Sequence, residues 1–92
     1  MIKSFRHKGL KELFERGATR RVDGKLQARC IEVLDMLHRA THTNQLAIPG
    51  WNTHPLHQHK PLRWSIWVSG QWRITFEFSK GDAYRVDLEQ YH

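Results

Sequence analysis

The sequence predicts a single α+β domain in which two N-terminal helices pack on one face of a small antiparallel β-sheet. Two observations predict this fold: apolar residues recur at helical spacing between residues 7 and 40, and apolar and polar residues alternate from residue 64 onward. Glycine-containing turns separate the alternating segments, which indicates hairpins between antiparallel strands. The 92 residues are enough for one domain, residues 1–92, with one modest core.

The N-terminal part of the chain predicts one short strand and two helices. Ile2–Phe5 can form a strand, and His7–Arg16 has the apolar spacing of a short helix that Gly17 would end. Asp23 is a typical N-cap for a second helix that continues to about Ala40. The apolar stripe of this second helix consists of Leu26, Cys30, Val33, Leu34 and Leu37. Both helices would therefore bury one stripe and expose a charged face.

The sheet follows a mixed connector, Thr41–Leu62, in which Pro55 and Pro61 disfavour a regular helix or a central strand. Two alternating strands are joined by a turn at Gly70, and a second turn at Gly81 leads into the last strand. The residues predicted on the apolar face are Trp64, Ile66, Val68, Trp72, Ile74, Phe76, Phe78, Tyr84, Val86 and Leu88. The opposite face is polar, and we expect it to be open to solvent.

The positive charge of the chain is distributed unevenly. The net charge is +6, and residues 1–29 account for all of it, with nine Lys or Arg against three Asp or Glu. A basic surface on a small domain attracts polyanions. Nucleic acid or an acidic protein is therefore a candidate partner, while a solvated helical surface explains the same charges without any partner.

The composition also indicates the cellular compartment and whether a cofactor is expected. Cys30 is the only cysteine, which excludes an internal disulfide and is typical of a reducing, cytoplasmic environment. The sequence contains no apolar run of the ~20 residues that a membrane span needs, and its first residues do not resemble a secretion signal. Because the single cysteine cannot form the Cys-x-x-Cys pair of a structural zinc site, we expect neither a metal nor another cofactor.

Several polar residues could meet at the polar face of the sheet. Arg73 lies in the middle of a strand and points away from the apolar face. Tyr91 and His92 follow the last strand directly, and a strand that continues up to them would hold both beside the sheet. His54 precedes the sheet closely enough to fold back onto its edge.

This set of residues suits the cleavage of a phosphodiester bond in RNA without a metal ion. The reaction needs a base for the 2′-hydroxyl, cations for the charged transition state and an acid for the leaving 5′-oxygen. An unperturbed imidazole titrates near pH ~6.5 and can fill either proton role. His54 and His92 are therefore the candidate proton-transfer groups. Arg73 is the candidate phosphate clamp, unless it only forms a cross-strand ion pair with Asp87 or Glu89.

Further residues near the sheet could bind the substrate. His57, Lys60 and Arg63 add positive or titratable groups, and Gln90 directly precedes the terminal pair. Tyr91 could stack on an unpaired base, as aromatic side chains commonly do in RNA-binding proteins. The remaining histidines are expected to be solvated or hydrogen-bonded without a catalytic role: His7, His38 and His42.

A series of short motifs runs along the whole chain. The N-terminal motifs are Met1–Phe5, His7–Leu10 and Leu13–Glu15, the central motifs are Leu46–Trp51, His54–Leu56 and Trp64–Ile66, and the C-terminal motifs are Trp72–Phe76, Gly81–Tyr84 and Tyr91–His92. In this order and with this spacing, they closely resemble the HigB toxins of the RelE/ParE superfamily.

The resemblance implies a RelE-like fold and a ribosome-dependent endoribonuclease that cleaves translated mRNA in the A site of the 70S ribosome. It also implies a HigA-like helix-turn-helix antitoxin, and operator DNA would be contacted only through that antitoxin. Residue by residue, the active-site histidine of the family matches His54, its sheet arginine matches Arg73, and its terminal pair matches Tyr91 and His92. Lys60 and the basic helices would then contact ribosomal RNA.

Two positions depart from the family pattern. Gln90 stands where related toxins have an acidic residue, and His57 stands where they often have a lysine. We expect both changes to affect the rate of turnover and not the fold. An amide does not titrate, and an imidazole is a weaker phosphate cation at neutral pH than a lysine. The alternatives are a non-catalytic relative that binds RNA or an antitoxin, and an inhibitor of gyrase like the ParE branch of the superfamily.

Overall fold

The computed structural model describes residues 1–90, and it confirms the α+β architecture. The elements in chain order are α1 (Lys8–Arg16), α2 (Gly24–Arg39), a 3₁₀ helix (Thr43–Leu46), β1 (His54–Leu56), β2 (Arg63–Ser69), β3 (Trp72–Ser79) and β4 (Asp82–Gln90). The strands form one antiparallel sheet in the order β1-β2-β3-β4, and both α-helices pack on one of its faces. Within residues 1–90, neither α-helix is long and apolar enough to cross a membrane.

Side-chain caps fix the starts of both α-helices. The Asp23 carboxylate accepts a hydrogen bond from the backbone N–H of Lys25 at 3.0 Å, which confirms its predicted role as N-cap. His7 caps α1, because its Nδ1 accepts a hydrogen bond from the backbone N–H of Leu10 at 3.1 Å. Gly17 ends α1 with a φ of 76°, a left-handed conformation that glycine adopts at little cost.

The hydrophobic core lies between the two α-helices and the sheet. All of the apolar residues predicted for α2 are buried in it: Leu26, Cys30, Val33, Leu34 and Leu37. The sheet contributes a buried centre and a partly buried margin: Ile66, Val68, Ile74 and Phe76 in the centre, and Trp64, Trp72 and Phe78 at the margin. The apolar residues predicted from helical spacing and those predicted from strand alternation therefore pack together in one core.

Burial makes the single cysteine chemically inert in the folded protein. Cys30 is fully buried, and desolvation raises the pKa of its thiol to about 11. Because the thiolate is the reactive form, we expect Cys30 to resist alkylation by iodoacetamide at about pH 8. Mass spectrometry after timed labelling should show rapid modification only in guanidinium. Equal labelling rates with and without denaturant would contradict the buried position.

Two elements differ from the sequence-based expectation. The predicted strand at residues 2–5 is absent from the described structure; Ile2 and Phe5 instead make isolated parallel bridges to Ala83 and Val86. Conversely, β1 forms inside the connector Thr41–Leu62, where no strand was predicted; it is an edge strand, so it agrees with the expectation that Pro55 disfavours a central one. Its Pro55 is tolerated because β1 is an edge strand, where a missing N–H leaves no ladder bond unmade.

A β-bulge in β4 changes which of its residues face the core. Thr75 pairs with Asp87 and Glu77 pairs with Tyr84, so β4 has one residue more than β3 in this interval. Arg85 lies within the bulge and has a φ of 48°. One extra residue shifts the alternation of side chains, so Tyr84 lies on the same face as its partner Glu77. The prediction that Tyr84 lies on the apolar face is therefore wrong.

The face of the sheet opposite the helices is polar, as predicted, but it is not open to solvent throughout. Arg63, Ser65, Thr75 and Glu77 on this face are buried. The long charged side chains lie along the sheet and bind one another, so they cover the centre of the face. Only its margins are left for a ligand.

Candidate active site

Strand register places two of the predicted site residues, His54 and Arg73, in rows across the polar face, because residues paired across antiparallel strands point to the same side. One row consists of His54, Ser65, Thr75 and Asp87, and the next consists of Trp67, Arg73 and Glu89. Strand spacing and residue rise put the backbones of His54 and Arg73 about 12 Å apart. Two long side chains and a phosphate between them can fill that interval.

His54, a partly buried residue, begins β1, and one hydrogen bond of its ring defines the tautomer. Its Nδ1 lies 2.7 Å from the carbonyl oxygen of Asn52. Asn52 has a φ of 48°, a left-handed conformation that asparagine tolerates, and this turn presents its carbonyl to the ring. Because a carbonyl oxygen only accepts, Nδ1 carries the proton and Nε2 of the neutral ring is an acceptor. A base that takes a proton through Nε2 needs this arrangement.

Arg73 lies in the centre of the second row, between Trp67 of β2 and Glu89 of β4. Of the two acidic neighbours predicted for it, Glu89 is the one directly opposite, and Asp87 belongs to the adjacent row. A carboxylate beside a guanidinium also orients its fork of donors. The role of cross-strand partner and the role of phosphate clamp therefore do not exclude each other.

A buried hydrogen-bonded network links the rows. Arg63 Nη1 lies 3.2 Å from Glu77 Oε2, and Arg63 Nη2 donates to the hydroxyl of Thr75 at 3.0 Å. The Thr75 hydroxyl in turn donates to the carboxylate of Glu89. This chain of bonds connects Arg63 to the carboxylate opposite Arg73. A change at Arg63 would therefore reach the site residues indirectly.

Arg63 differs from its predicted position as a substrate-binding residue. Its side chain is only 5% exposed, and its Nη2 also donates to the carbonyl oxygen of Arg85 at 3.0 Å. Burial lowers the pKa of its guanidinium. These contacts give Arg63 a structural role beneath the polar face, because its donors point into the protein.

The other predicted substrate-binding residues are exposed but do not form one cluster. His57 and Lys60 lie in the loop between β1 and β2. Gln90 ends β4 opposite Trp72, which packs at the margin of the core. The register therefore places Gln90 on the face opposite Arg73, and the structure does not bring it to the polar face.

Two of the predicted catalytic residues, Tyr91 and His92, lie outside the described residues. The histidines for which no catalytic role was predicted make local hydrogen bonds: besides the cap at His7, His38 Nδ1 accepts from the N–H of Ile2 at 3.1 Å, and His42 Nδ1 lies 3.1 Å from the hydroxyl of Thr41. In the part of the chain that the structure describes, His, Cys, Asp and Glu side chains do not form a group of three that could hold a metal ion.

Sequence reasoning missed two residues in the row of Arg73. Trp67 is 42% exposed, and its Nε1 donates to the carbonyl of Gly70 at 2.9 Å, which orients the indole. An exposed indole beside a cation is a platform on which a base can stack. Glu89 was considered only as an ion-pair partner. Its position beside Arg73, like the outward position of Trp67, could have been derived from the alternation once the register was known.

Known proteins match the chain over nearly its whole length. Residues 3–92 match the family described as RelE-like toxin of type II toxin-antitoxin system HigB. The chain is also 45% identical over 92 residues to a Proteus vulgaris protein named Endoribonuclease HigB, and the match covers the whole of both chains. Both matches agree with the α+β fold and with the resemblance found in the motifs. The chain therefore belongs to the HigB family of RelE-like toxins of type II toxin–antitoxin systems.

Proposed function

We propose that this toxin is an endoribonuclease that cleaves translated mRNA in the A site of the ribosome and thereby inhibits translation and growth. The observation that carries the proposal is the placement of His54 and Arg73 on one face of the sheet, with the exposed indole of Trp67 beside Arg73. A proton acceptor, a cation and a stacking surface are groups that RNA cleavage requires. The 45% identical relative named Endoribonuclease HigB supports the same activity.

The proposed reaction uses His54 and His92 for the two proton transfers. Nε2 of His54 takes the proton of the 2′-hydroxyl, and the resulting oxygen attacks the adjacent phosphorus. The bond to the 5′-oxygen breaks, His92 protonates that oxygen, and a 2′,3′-cyclic phosphate is left on the other fragment. Arg73 donates two hydrogen bonds to the phosphate oxygens, whose negative charge grows in the transition state. Trp67 and Tyr91 hold the bases by stacking. These steps use only side chains of the protein.

The proposal includes its partners. As a type II toxin, the protein has an antitoxin, and we propose a HigA-like helix-turn-helix protein that neutralises it and links it to operator DNA. The substrate is mRNA on the 70S ribosome, and the basic surface of the helices contacts ribosomal RNA. Cleavage of translated mRNA places the active toxin in the cytoplasm.

The central test is mRNA cleavage on programmed 70S ribosomes. We expect the wild-type protein to cut at the A-site codon, and His54→Ala to lower the single-turnover rate by about 10²-fold or more, because it removes a general base. His42→Ala is the matched control: it removes an exposed imidazole that lies away from the polar face, and it should cut at the wild-type rate. Primer extension at timed intervals measures both the position and the rate.

Each alternative corresponds to a different result. If the wild-type protein binds an antitoxin or RNA but leaves mRNA intact on ribosomes, it is a non-catalytic relative. This alternative rests on His57 and Gln90, the two departures from the family pattern. DNA breaks that depend on gyrase, without mRNA cleavage, would favour a gyrase inhibitor. Equal rates for His54→Ala and His42→Ala would leave the activity in place and remove His54 as the base.

A further inference from the structure

A basic cleft lies on the polar face at the end away from Arg73. It has a volume of about 290 Å³ and forms where three parts of the chain meet: the segment before α1, the loop between β1 and β2, and the bulge of β4. The side chains that line it include Arg6, His59, Lys60, Arg63, Glu77 and Arg85. The cleft thus combines residues that are far apart in the sequence.

The cleft carries an excess of positive charge. Four cations line it, and they face one lining carboxylate, that of Glu77. A second carboxylate, that of Asp87, lies 3.8 Å from Nη1 of Arg6. Glu89 also acts on Arg63, but it lies opposite Arg73 in the next row. Without the pair Arg73 and Glu89, the cleft has four positive charges against two negative charges. Burial is the main cause that lowers the pKa of Arg63; Arg6 lowers it further, and the three carboxylates raise it. The excess of two positive charges favours a bound anion.

The bulge of β4 holds Arg85 at the rim of the cleft. The backbone N–H of Arg85 donates to Ser4 Oγ at 2.8 Å, and its carbonyl accepts from Arg63, so the bulge is tied on both sides. Its Nη1 donates to Glu77 Oε1 at 2.9 Å, yet the side chain is 60% exposed. A guanidinium has five N–H donors, and among residues 1–90 only one of those of Arg85 makes a hydrogen bond. Arg85 can therefore bind Glu77 and an anion together.

The position of the cleft relative to Arg73 indicates which anion it would bind. Glu77 and Arg73 are four residues apart on β3, which corresponds to roughly 13 Å along the sheet. This distance is too long for one phosphate to reach both sites. A single RNA strand that follows β3 would instead present one phosphate at Arg73 and another in the cleft, because its charges repeat along the backbone.

We propose that the cleft is a second phosphate-binding subsite, which holds the backbone of the substrate RNA at a nucleotide remote from the bond that is cut. This inference rests on the proposed endoribonuclease function, which places the scissile phosphate at Arg73. Lys60 supplies a point charge and Arg85 a planar fork of donors, and both types of side chain commonly bind phosphate in proteins. The subsite fixes the path of the strand and takes no part in the chemistry.

The test compares the double variant Lys60→Gln/Arg85→Gln with wild type in binding a single-stranded RNA of about ten nucleotides. Fluorescence anisotropy at several salt concentrations gives the slope of log K against log salt. We expect weaker binding and a slope reduced by about 0.7, the change that follows the loss of one phosphate contact on a single strand. On ribosomes, the double variant should need a higher concentration for half-maximal cleavage but reach the wild-type single-turnover rate.

The control is Lys3→Gln/Lys80→Asn, which removes the same charge from two exposed positions outside both the cleft and the helices. Asparagine suits position 80, where φ is 52°. Lys60→Gln alone, at an exposed residue that makes no ion pair within residues 1–90, guards against a folding effect of the Arg85 change. Thermal unfolding of each variant completes the comparison.

Several results would overturn the subsite. They are equal slopes and affinities for the two double variants, no measurable RNA binding by wild type at about 50 mM salt, or a loss of affinity for vacant ribosomes with unchanged binding of the RNA. The last result would assign the cleft to ribosomal RNA. If wild type binds RNA through the cleft but does not cut mRNA, the subsite stands and the proposed function falls, so the two failures are distinguishable.

Discussion

Arg73→Ala should slow mRNA cleavage on ribosomes about a hundredfold. One preorganised donor aimed at a developing negative charge is typically worth ~3 kcal/mol of transition-state stabilisation, which corresponds to that factor in rate. Arg73 is preorganised because it lies mid-strand between Trp67 and Glu89, whose positions the sheet fixes. The single-turnover rate at saturating enzyme is the appropriate measurement, since it isolates the chemical step from ribosome binding.

Arg73→Lys should recover only part of this rate. Lysine keeps the positive charge but has no planar fork to bind two phosphate oxygens at once. Arg39→Ala is the matched control, because it removes an exposed arginine from α2, where its partner is Asp35 at 2.9 Å. That variant should cleave at the wild-type rate. A fully active Arg73→Ala would mean that Arg73 serves only as the cross-strand partner of Glu89.

The parts of the fold that depend on local spacing were predicted from the sequence. The apolar stripe of α2 and its N-cap at Asp23 are local features, and both are confirmed. The hairpin of β2 and β3 was predicted for the same reason: an alternating pattern on each side of a turn at Gly70 specifies both the strands and their pairing. In these elements a few consecutive residues are sufficient to predict the structure.

Features that depend on distant contacts were not predictable in this way. β1 contains Pro55 and is only three residues long, so its strand conformation depends on pairing with β2. The bulge at Arg85 depends on contacts with Ser4 and Arg63, which are remote in the sequence. The expectation of an open polar face failed because alternation predicts which side chains share a face, but not that they bind and bury one another.

In the candidate site, too, local features were predicted correctly and features that depend on distant contacts were not. Arg73 was correctly placed on the polar face because strand alternation decides it, and the register then brings His54 to that face. Gln90 was expected beside them, yet its partner Trp72 shows that it belongs to the other face. The alternation of β2 puts Trp67 on the polar face, but a stacking role becomes visible only once its exposure and its neighbour Arg73 are known. The catalytic roles themselves stay predictions.

Glu77→Gln should lower the free energy of unfolding by about 3 kcal/mol, the low end of the cost of breaking a buried ion pair. The side chain of Glu77 is 12% exposed and that of Arg63 is 5% exposed, so the amide would leave a buried guanidinium without its direct ion-pair partner. The other partner, Arg85, is largely exposed and can be hydrated instead. Urea denaturation at neutral pH, monitored by tryptophan fluorescence, measures the change.

Asp35→Asn provides the control for this experiment. It breaks a shorter ion pair, Asp35 to Arg39 at 2.9 Å, but both side chains are exposed. Solvent screening makes such a pair worth less than about 0.5 kcal/mol. Glu77→Gln removes two ion pairs and Asp35→Asn removes one, but the second partner of Glu77, Arg85, is about as exposed as Arg39. A difference larger than one further exposed pair is therefore due to the burial of the pair with Arg63. If Glu77→Gln costs no more than Asp35→Asn, the charge of Glu77 does not hold the polar face together.

Replacing both partners separates the structural role of this pair from its effect on the site. Arg63→Met/Glu77→Leu removes both buried charges, and we expect it to regain most of the lost stability, since apolar residues of similar volume often replace a buried ion pair without cost. Thr75 would then lose its donor Arg63, and the hydroxyl that binds Glu89 opposite Arg73 would no longer be oriented. Cleavage should therefore stay below the wild-type rate although the fold is restored. Full activity in the stable double variant would show that the network supports the fold alone.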